Sequence, residues 1–224
     1  GSNLEITGSL DADNYIEDTG TDRTLTLSGN ATFADGAGVI AGNTLKTTGS
    51  TTITGEGAVD FDNLTIDASS TTEFATSSAG SPRTFTVNNT LTHTQGDVDL
   101  TENTLKLGNG STFNYTAGSY TFGNGALVQF TSSGSDLTLG TDTGTLSLDN
   151  VAFDDGGNDQ DLDLNADSKL KVTNTLTLTD GDIDASTNAG AEVLVNGATI
   201  ERDVGTLLEA PTFSGTINVD YVGD

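Results

Sequence analysis

The chain has 224 residues, 28 of them glycine, with 33% hydrophobic residues and no cysteine, methionine or tryptophan. The lack of cysteine excludes disulfide bonds, thiol catalysis and thiolate metal sites. Seven basic and 33 acidic residues give a net charge of −26, which disfavours binding to nucleic acid and to anionic membranes because both are negatively charged. No apolar run approaches the ~18 residues of a spanning helix, so we expect no membrane insertion.

Short segments of two-residue alternation follow one another along the chain, and no sustained helical stripe interrupts them. Apolar residues alternate with Thr, Ser, Asp or Lys at Leu25/Leu27, Phe85/Val87, Leu105/Leu107, Leu137/Leu139, Leu146/Leu148, Leu162/Leu164, Leu170/Val172 and Leu176/Leu178. Gly, Asn or Asp separate these segments every eight to twelve residues or so, which is typical of turns between strands. The pattern predicts an all-β protein.

The segment from Val87 to Leu100 returns, nearly unchanged, as the segment from Val172 to Ala185. The triplet Asn-Thr-Leu recurs at several of these strand starts, at Asn43, Asn89, Asn103 and Asn174. Asn tolerates the left-handed backbone of a tight corner, and its side chain can stack on copies in neighbouring coils. Repetition of one strand-turn-strand phrase predicts an array of stacked coils.

We therefore predict a single-stranded parallel β-helix (β-solenoid) of about ten coils, each of roughly 20–25 residues. The alternative is an antiparallel β-sandwich, because pairs such as Asp35-Gly36 and Asp180-Gly181 can also form hairpin turns. We expect one β-solenoid domain over residues 1–224. The differently patterned segments 1–22 and 191–224 are predicted to be caps or junctions, since the ends of a solenoid expose unpaired strand edges.

Three phrases of the sequence indicate which kind of β-solenoid the chain resembles. They are Asn174-Thr-Leu-Thr-Leu-Thr-Asp-Gly-Asp-Ile183, Val195-Asn-Gly-Ala-Thr-Ile-Glu-Arg-Asp-Val204 and Pro211-Thr-Phe-Ser-Gly-Thr-Ile-Asn-Val219. This style resembles the repeat-rich β-solenoid segments of large bacterial secreted and cell-surface proteins. It is most similar to type IX secretion cargo, and more loosely to autotransporter and adhesin passengers. The resemblance implies an extracellular, structural or adhesive role within a larger surface protein, and it transfers no functional residue.

Aspartates spaced two apart are the best candidates for binding chemistry. On a strand they point to one face, so two rows of carboxylates are predicted: Asp159, Asp161, Asp163 and Asp180, Asp182, Asp184. Hard oxygen ligands that converge from adjacent coils suit Ca²⁺. The sequence therefore offers a possible calcium site, with solvated aspartate turns as the alternative.

Other chemistries have weaker support. The one histidine, His93, takes the place that Leu178 has in the repeat, which indicates an inward-facing residue and no catalytic triad. A polysaccharide-active β-helix enzyme would need a paired-carboxylate or basic site, but basic residues are few and scattered. An ice-binding or carbohydrate-binding module is the other alternative. Thr-x-Thr runs suggest it, as do the aromatics of residues 113–130.

We expect a non-enzymatic extracellular solenoid that serves as a stalk, a surface-adhesin segment or a filament subunit. Backbone ladders between coils would supply stiffness, and pairing of exposed edges could join copies end to end into fibres. A glycan is a further possible partner.

Overall fold

The computed structural model describes residues 3–18, 22–77, 81–108, 110–142 and 144–223. These ranges contain 23 strands and no helix, and hence no helix that could span a membrane. The first twelve strands are β1 (Leu4–Ile6), β2 (Leu10–Ala12), β3 (Tyr15–Glu17), β4 (Thr24–Leu27), β5 (Ala31–Phe33), β6 (Ala37–Thr47), β7 (Thr51–Gly55), β8 (Val59–Thr76), β9 (Thr84–Asp99), β10 (Thr104–Leu107), β11 (Thr112–Tyr115) and β12 (Ser119–Thr121). The others are β13 (Leu127–Thr131), β14 (Leu137–Thr141), β15 (Thr145–Asp154), β16 (Asp161–Leu164), β17 (Lys169–Leu178), β18 (Asp182–Asp184), β19 (Glu192–Asn196), β20 (Thr199–Arg202), β21 (Thr206–Leu207), β22 (Thr212–Ser214) and β23 (Asn218–Tyr221).

The strands pair in parallel with strands one coil away in sequence. Leu25, for example, lies beside Leu45, and Leu170 lies beside Val193. Parallel stacking of this kind makes a β-solenoid of about nine turns. The predicted β-solenoid is thus confirmed, with a coil number close to that expected from the sequence, and the antiparallel sandwich is not the fold.

The chain forms two compact units, of which the first comprises Gly1–Lys106 and Ala117–Ala126. Its strands form parallel ladders, such as β1–β4–β6 and β2–β5–β7. Long strands turn the corner between ladders without ending: β6 pairs with β3 through its first part and with β4 through its last. Ala41 and Gly42 make that corner with φ angles of 62° and 79°.

The second unit comprises Leu107–Thr116 and Leu127–Asp224. Its strands stack in three parallel ladders: β11–β14–β16–β18–β21, β15–β17–β19–β22 and β13–β15–β17–β20–β23. β15 and β17 each bend through a corner and belong to two ladders. One coil here therefore takes three strand segments, one in each ladder.

Alternation decides which side chains fill the interior. In β16 the burial alternates residue by residue, so that Leu162 and Leu164 lie inside while the aspartates face outward. Leu162 stacks between Leu137 and Ile183 of the neighbouring coils, and all three are 0% exposed. Burying each such side chain contributes about 1.5–3 kcal/mol. In the first unit, phenylalanine pairs such as Phe33–Phe61 add edge-to-face contacts, with ring centroids 5.6 Å apart.

Asparagine side chains bridge successive coils at the corners, as the Asn-Thr-Leu repeats indicate. In the first unit the Asn89 amide donates to Asn63 Oδ1 at 2.8 Å. The fully buried Asn103 accepts from the Arg83 backbone and donates to the Phe74 carbonyl, both at 2.7 Å. Because each bond joins residues of different coils, these side chains tie the coils together where the backbone ladders are interrupted.

The two segments predicted as caps or junctions form ordinary coils in their described parts. Residues 3–18 contain β1, β2 and β3, which pair with β4, β5 and β6. Residues 191–223 contain β19 to β23. Whether these segments act as caps or as junctions stays a prediction.

Candidate functional site

Two adjacent strands of the second unit bring aspartates together on the side of their sheet that points away from the apolar interior, where Asp161 and Asp163 are half-buried and Asp184 is buried. β16 pairs with β18 so that Asp161 lies beside Asp182 and Asp163 lies beside Asp184. The placement follows from the sequence, because the intervening residues, Leu162 and Ile183, are drawn into the interior. The carboxylates are consequently stacked along a ladder whose strands are about 4.8 Å apart.

Three of these carboxylates converge. Asp161, Asp163 and Asp184 each offer an oxygen, and these oxygens all lie within 4.8 Å of one another. We call this group the acidic triad. Asp184 is only 4% exposed, and its Oδ1 accepts hydrogen bonds from the Ser186 backbone at 2.6 Å and from the Ser186 hydroxyl at 2.7 Å.

The pKa values of the three triad carboxyl groups are shifted in different directions. Partial burial and, to a smaller extent, the negative charges of the neighbouring carboxylates together raise the pKa of Asp161 to about 6; these neighbours are Asp182, Asp136, Asp163 and Asp184. Burial also raises the pKa of Asp163, together with Asp136 and Asp184. Hydrogen bonds from Ser186 lower the pKa of Asp184 against its own burial. Like charges directly opposite each other destabilise a sheet, so a cation at the triad would relieve a repulsion that the fold imposes.

The other three predicted metal residues lie outside the triad. Asp182 accepts a hydrogen bond from the Thr206 hydroxyl of the next coil. Asp159 precedes β16 in a corner, with a left-handed φ of 58°, and Asp180 precedes β18, where its Oδ1 accepts from Gly181 N at 3.0 Å. Each predicted row of three is therefore a pair on a strand plus one residue in a corner.

Two acidic residues of this region were missed by the sequence interpretation. Asp136 Oδ1 accepts from the Asp161 backbone at 3.1 Å, and only the register of the coils could have revealed that contact. Asp155 is 1% exposed and shapes the corner before β16, accepting from Gly157 N at 2.7 Å and Gln160 N at 2.8 Å. Burial alone would raise the pKa of Asp155, but these backbone donors lower it. The Asp-Asp-Gly-Gly sequence was the available signal for such a corner.

The donor set of the acidic triad fits a hard cation. Ca²⁺ takes six to eight oxygen ligands, of which carboxylates are the commonest charged ones, and Asp161, Asp163 and Asp184 would supply three. The ion would contribute charge neutralisation between two adjacent coils. Calcium binding at these residues stays a prediction.

His93 is an interior residue of the first unit, as its place in the repeat indicates. It is 0% exposed and continues the ladder from Ile66. Its Nε2 lies 3.1 Å from the Gly96 carbonyl oxygen. Its ring packs edge-to-face on the ring of Tyr120, with the two ring centroids 5.2 Å apart. Burial lowers the pKa of His93, which favours the neutral imidazole.

Within the described part of the first unit, the two rows that contain Thr24 and Thr26 are interrupted by residues other than threonine. On the ladder that contains Thr24 and Thr44, the next residue is Asn63. On the neighbouring row, Lys46 stands between Thr26 and Thr65. Of the aromatic group, Phe113 and Phe130 are fully buried and Tyr115 is 7% exposed, so these three rings fill the interior.

Comparisons of this chain with family models, with curated proteins and with solved structures gave no match.

Proposed function

We propose that this chain is a non-enzymatic structural segment of an extracellular surface protein, serving as a stalk, an adhesive surface or a filament subunit. The supporting observation is that each unit consists of parallel ladders wound around a continuous apolar interior. Such coils depend only on their neighbours, so stability adds along the stack instead of centring on one pocket.

The surface chemistry supports an exposed, hydrated location. The strands present Thr, Ser, Asp and Asn outward, and the chain has a net charge of −26. A charge of this size favours solubility, and screening at the ionic strength of a saline medium reduces the self-repulsion of the carboxylates. The likeness to the solenoid segments of bacterial surface proteins supports the same assignment.

Force spectroscopy of the chain, held by folded handles at its two ends, tests the structural role. In the second unit successive coils are 24 and 23 residues long, as the register Leu146–Leu170–Val193 shows. Peeling one coil should therefore lengthen the chain by about 80 Å, and a load-bearing segment should show a series of such steps.

Matched variants make the force measurement specific to the interior. Leu162→Ala opens the interior ladder and should lower the force of one step, whereas Thr138→Ala alters an outward position on the neighbouring strand and should not. Release of the whole chain in one low-force event would contradict the proposal. So would cleavage of an acidic polysaccharide by the purified chain, since that would favour the enzyme alternative.

A further inference from the structure

The described part of the chain contains five pairs in which Asn or Asp precedes Gly, and they differ in whether the glycine N–H is hydrogen-bonded. In four pairs this N–H donates to a carbonyl or carboxylate oxygen; these are Asp35-Gly36, Asp155-Gly156, Asp180-Gly181 and Asn196-Gly197. The fifth pair is Asn124-Gly125, and the N–H of Gly125 has no hydrogen-bond partner among the described residues. The side chain of Asn124 likewise makes no hydrogen bond with any of them.

Asn124 and Gly125 form the tip of a tight turn after β12, and both are exposed. The Ala126 N–H donates to the Gly123 carbonyl at 3.2 Å and closes the turn. Gly125, at the third position, has a φ of 79°, as in a type II turn, where this position favours glycine. We call residues 123–126 the exposed turn. Its tip presents a free amide side chain next to a free backbone N–H.

A second copy of the same tripeptide is held by a hydrogen bond. Asn196-Gly-Ala198 repeats the Asn-Gly-Ala sequence of the exposed turn, but Asn196 ends β19 and lies beside Ser214 of the next coil. The Gly197 N–H donates to the Ser214 carbonyl at 2.7 Å. The following alanine is buried in both copies, since Ala126 and Ala198 are each 1% exposed. The two sites therefore share a local sequence and differ in the hydrogen bond to the glycine nitrogen.

We propose that Asn124 is a self-modification site, at which the backbone nitrogen of Gly125 converts the side-chain amide into aspartate or isoaspartate. The nitrogen attacks Cγ of Asn124, a C–N bond forms, and the side-chain nitrogen leaves as ammonia with the proton of the backbone amide. Water then opens the cyclic imide. Cleavage of the new bond gives aspartate, and cleavage of the original peptide bond gives isoaspartate. Water is the only co-reactant, and no group is oxidised or reduced.

The surroundings of Gly125 leave the attacking nitrogen accessible. Glycine has no Cβ to obstruct the attack, and a Cβ added to Gly125 would meet no atom within 4 Å. The two reacting groups approach each other by rotation about the bonds of Asn124, and this rotation breaks no hydrogen bond of either group. At Asn196 the same rotation must first break the hydrogen bond of the glycine nitrogen. Reaction at Asn124 should therefore be faster.

The modified residue would stand beside an acidic side chain. Gly123 packs directly on the preceding coil, because a Cβ added to it would overlap the Thr101 carbonyl oxygen. β12 and β9 run parallel, so the next residues of the two corners, Asn124 and Glu102, follow in the same register. The reaction thus adds a negative charge beside Glu102, and isoaspartate also lengthens the main chain by one carbon. Both changes should weaken this corner of the first unit.

Peptide mapping of the aged, folded chain tests the proposal, with Asn196 as the internal control. The chain is incubated in mildly alkaline buffer and digested in acid, and mass spectrometry detects each asparagine whose NH2 group has been replaced by OH. A parallel incubation in guanidinium chloride gives the intrinsic ratio of the two rates, including the effect of the different preceding residues, Gly123 and Val195. In the folded chain the ratio of the rate at Asn124 to that at Asn196 should be larger by roughly twofold to tenfold, the factor that corresponds to one net hydrogen bond.

Two variants separate the cyclic route from direct hydrolysis. Asn124→Gln keeps an amide but would have to form a larger ring, so it should stop the modification in this turn and leave the rate at Asn196 unchanged. Asn124→Asp supplies the chromatographic standard for the aspartate product. Isoaspartate beside aspartate in the aged wild-type chain is the signature of the imide. Aspartate alone would show direct attack by water and would overturn the role of the Gly125 nitrogen.

Two further results would overturn the proposal: the same ratio of rates in the folded chain and in guanidinium chloride, or reaction at Asn196 without reaction at Asn124. The pair Asn109-Gly110 includes a residue outside the described part of the chain, and the mapping resolves it separately, so its rate does not enter the comparison. The inference does not rest on the proposed structural function, which stands or falls on the force measurement.

Discussion

The side-chain amide of Asn174 donates a hydrogen bond of 2.7 Å to Oδ1 of Asn150, which occupies the same corner one coil earlier. Asn89 and Asn63 repeat the arrangement in the first unit at 2.8 Å. In both pairs the donor precedes a Thr-Leu strand start, whereas its partner directly precedes an apolar residue, Leu64 or Val151. Asparagines at adjacent corners therefore join one coil to the next.

Removing this bridge should lower stability modestly. We expect Asn174→Ala to reduce the free energy of unfolding by about 0.5–1.5 kcal/mol, the net worth of one hydrogen bond. Urea unfolding of Asn174→Ala, Asn150→Ala and the double variant would measure the coupling. Purely additive effects would show that the two amides do not interact.

Substitutions in the interior ladder should lower the free energy of unfolding far more than substitutions on the surface. Leu162→Ala leaves a cavity between Leu137 and Ile183, and we expect a loss of about 2–5 kcal/mol. Thr138→Ala, which faces outward on β14, should change the unfolding free energy by less than about 0.5 kcal/mol. Equal losses in chemical denaturation would contradict the assignment of Leu162 to the interior.

His93 should make the fold sensitive to acid. Burial lowers its pKa from the ordinary value of 6.5, so the unfolded chain binds a proton more readily than the folded chain. The stability that neutral His93 contributes is present above pH 6.5 and is lost as the pH falls through the lower folded pKa. Asp97 opposes this shift, and Tyr120 packs against the ring.

A His93→Leu variant isolates that contribution, because the repeat has Leu178 at the equivalent position. Thermal melts between pH 5 and 7 should show a smaller loss of stability in the variant than in wild type. Identical pH profiles would contradict the prediction.

Asp161 should destabilise the protein at neutral pH. Its pKa is raised to about 6, so the folded state binds the proton more tightly than the unfolded state. The stabilisation is therefore present below the ordinary value of 3.8 and is lost as the pH rises through about 6. Without divalent cations, Asp161→Asn should raise the melting temperature at pH 7, and Asp11→Asn is the matched control. A lower melting temperature for Asp161→Asn alone would contradict this prediction.

In the presence of calcium, wild type should melt at a higher temperature than Asp161→Asn, which is the reverse of the order without divalent cations. If Asp161, Asp163 and Asp184 hold Ca²⁺, millimolar calcium should raise the melting temperature of wild type, by linkage of binding to folding. The Asp161→Asn variant should respond less. No shift of the wild-type melting temperature at millimolar Ca²⁺ would end the calcium hypothesis.

The sequence predicts the interior well because alternation is a local property. Leu162 and Leu176 lie inside, as their spacing indicates. Asp-Gly pairs are ambiguous, because a glycine with positive φ serves a hairpin and a solenoid corner equally well. Gly36 and Gly181, with φ of 74° and 71°, turn corners between parallel strands.

The acidic triad could be predicted only in part, because it depends on the register between coils. The step from Asp163 to Asp184 spans 21 residues, whereas the contact between Asp136 and Asp161 spans 25. Coil lengths vary with the corners, so spacing in the sequence does not reveal which carboxylates meet. Asp159, by contrast, lies in the corner before β16, which the Gly-Gly sequence shortly before it could have indicated.

Denaturant unfolding of a chain that lacks one whole coil tests most directly whether the coils are independent stacked elements. Residues 149–172 span the 24-residue offset between Leu148 and Val172, so their deletion joins equivalent positions of adjacent coils and keeps every remaining register. We predict a folded all-β chain that unfolds cooperatively with an m-value lower by about a tenth, whereas deletion of residues 149–160 alone should prevent folding of the second unit. Loss of folding after the whole-coil deletion, or equal tolerance of both deletions, would contradict the stacked-coil structure.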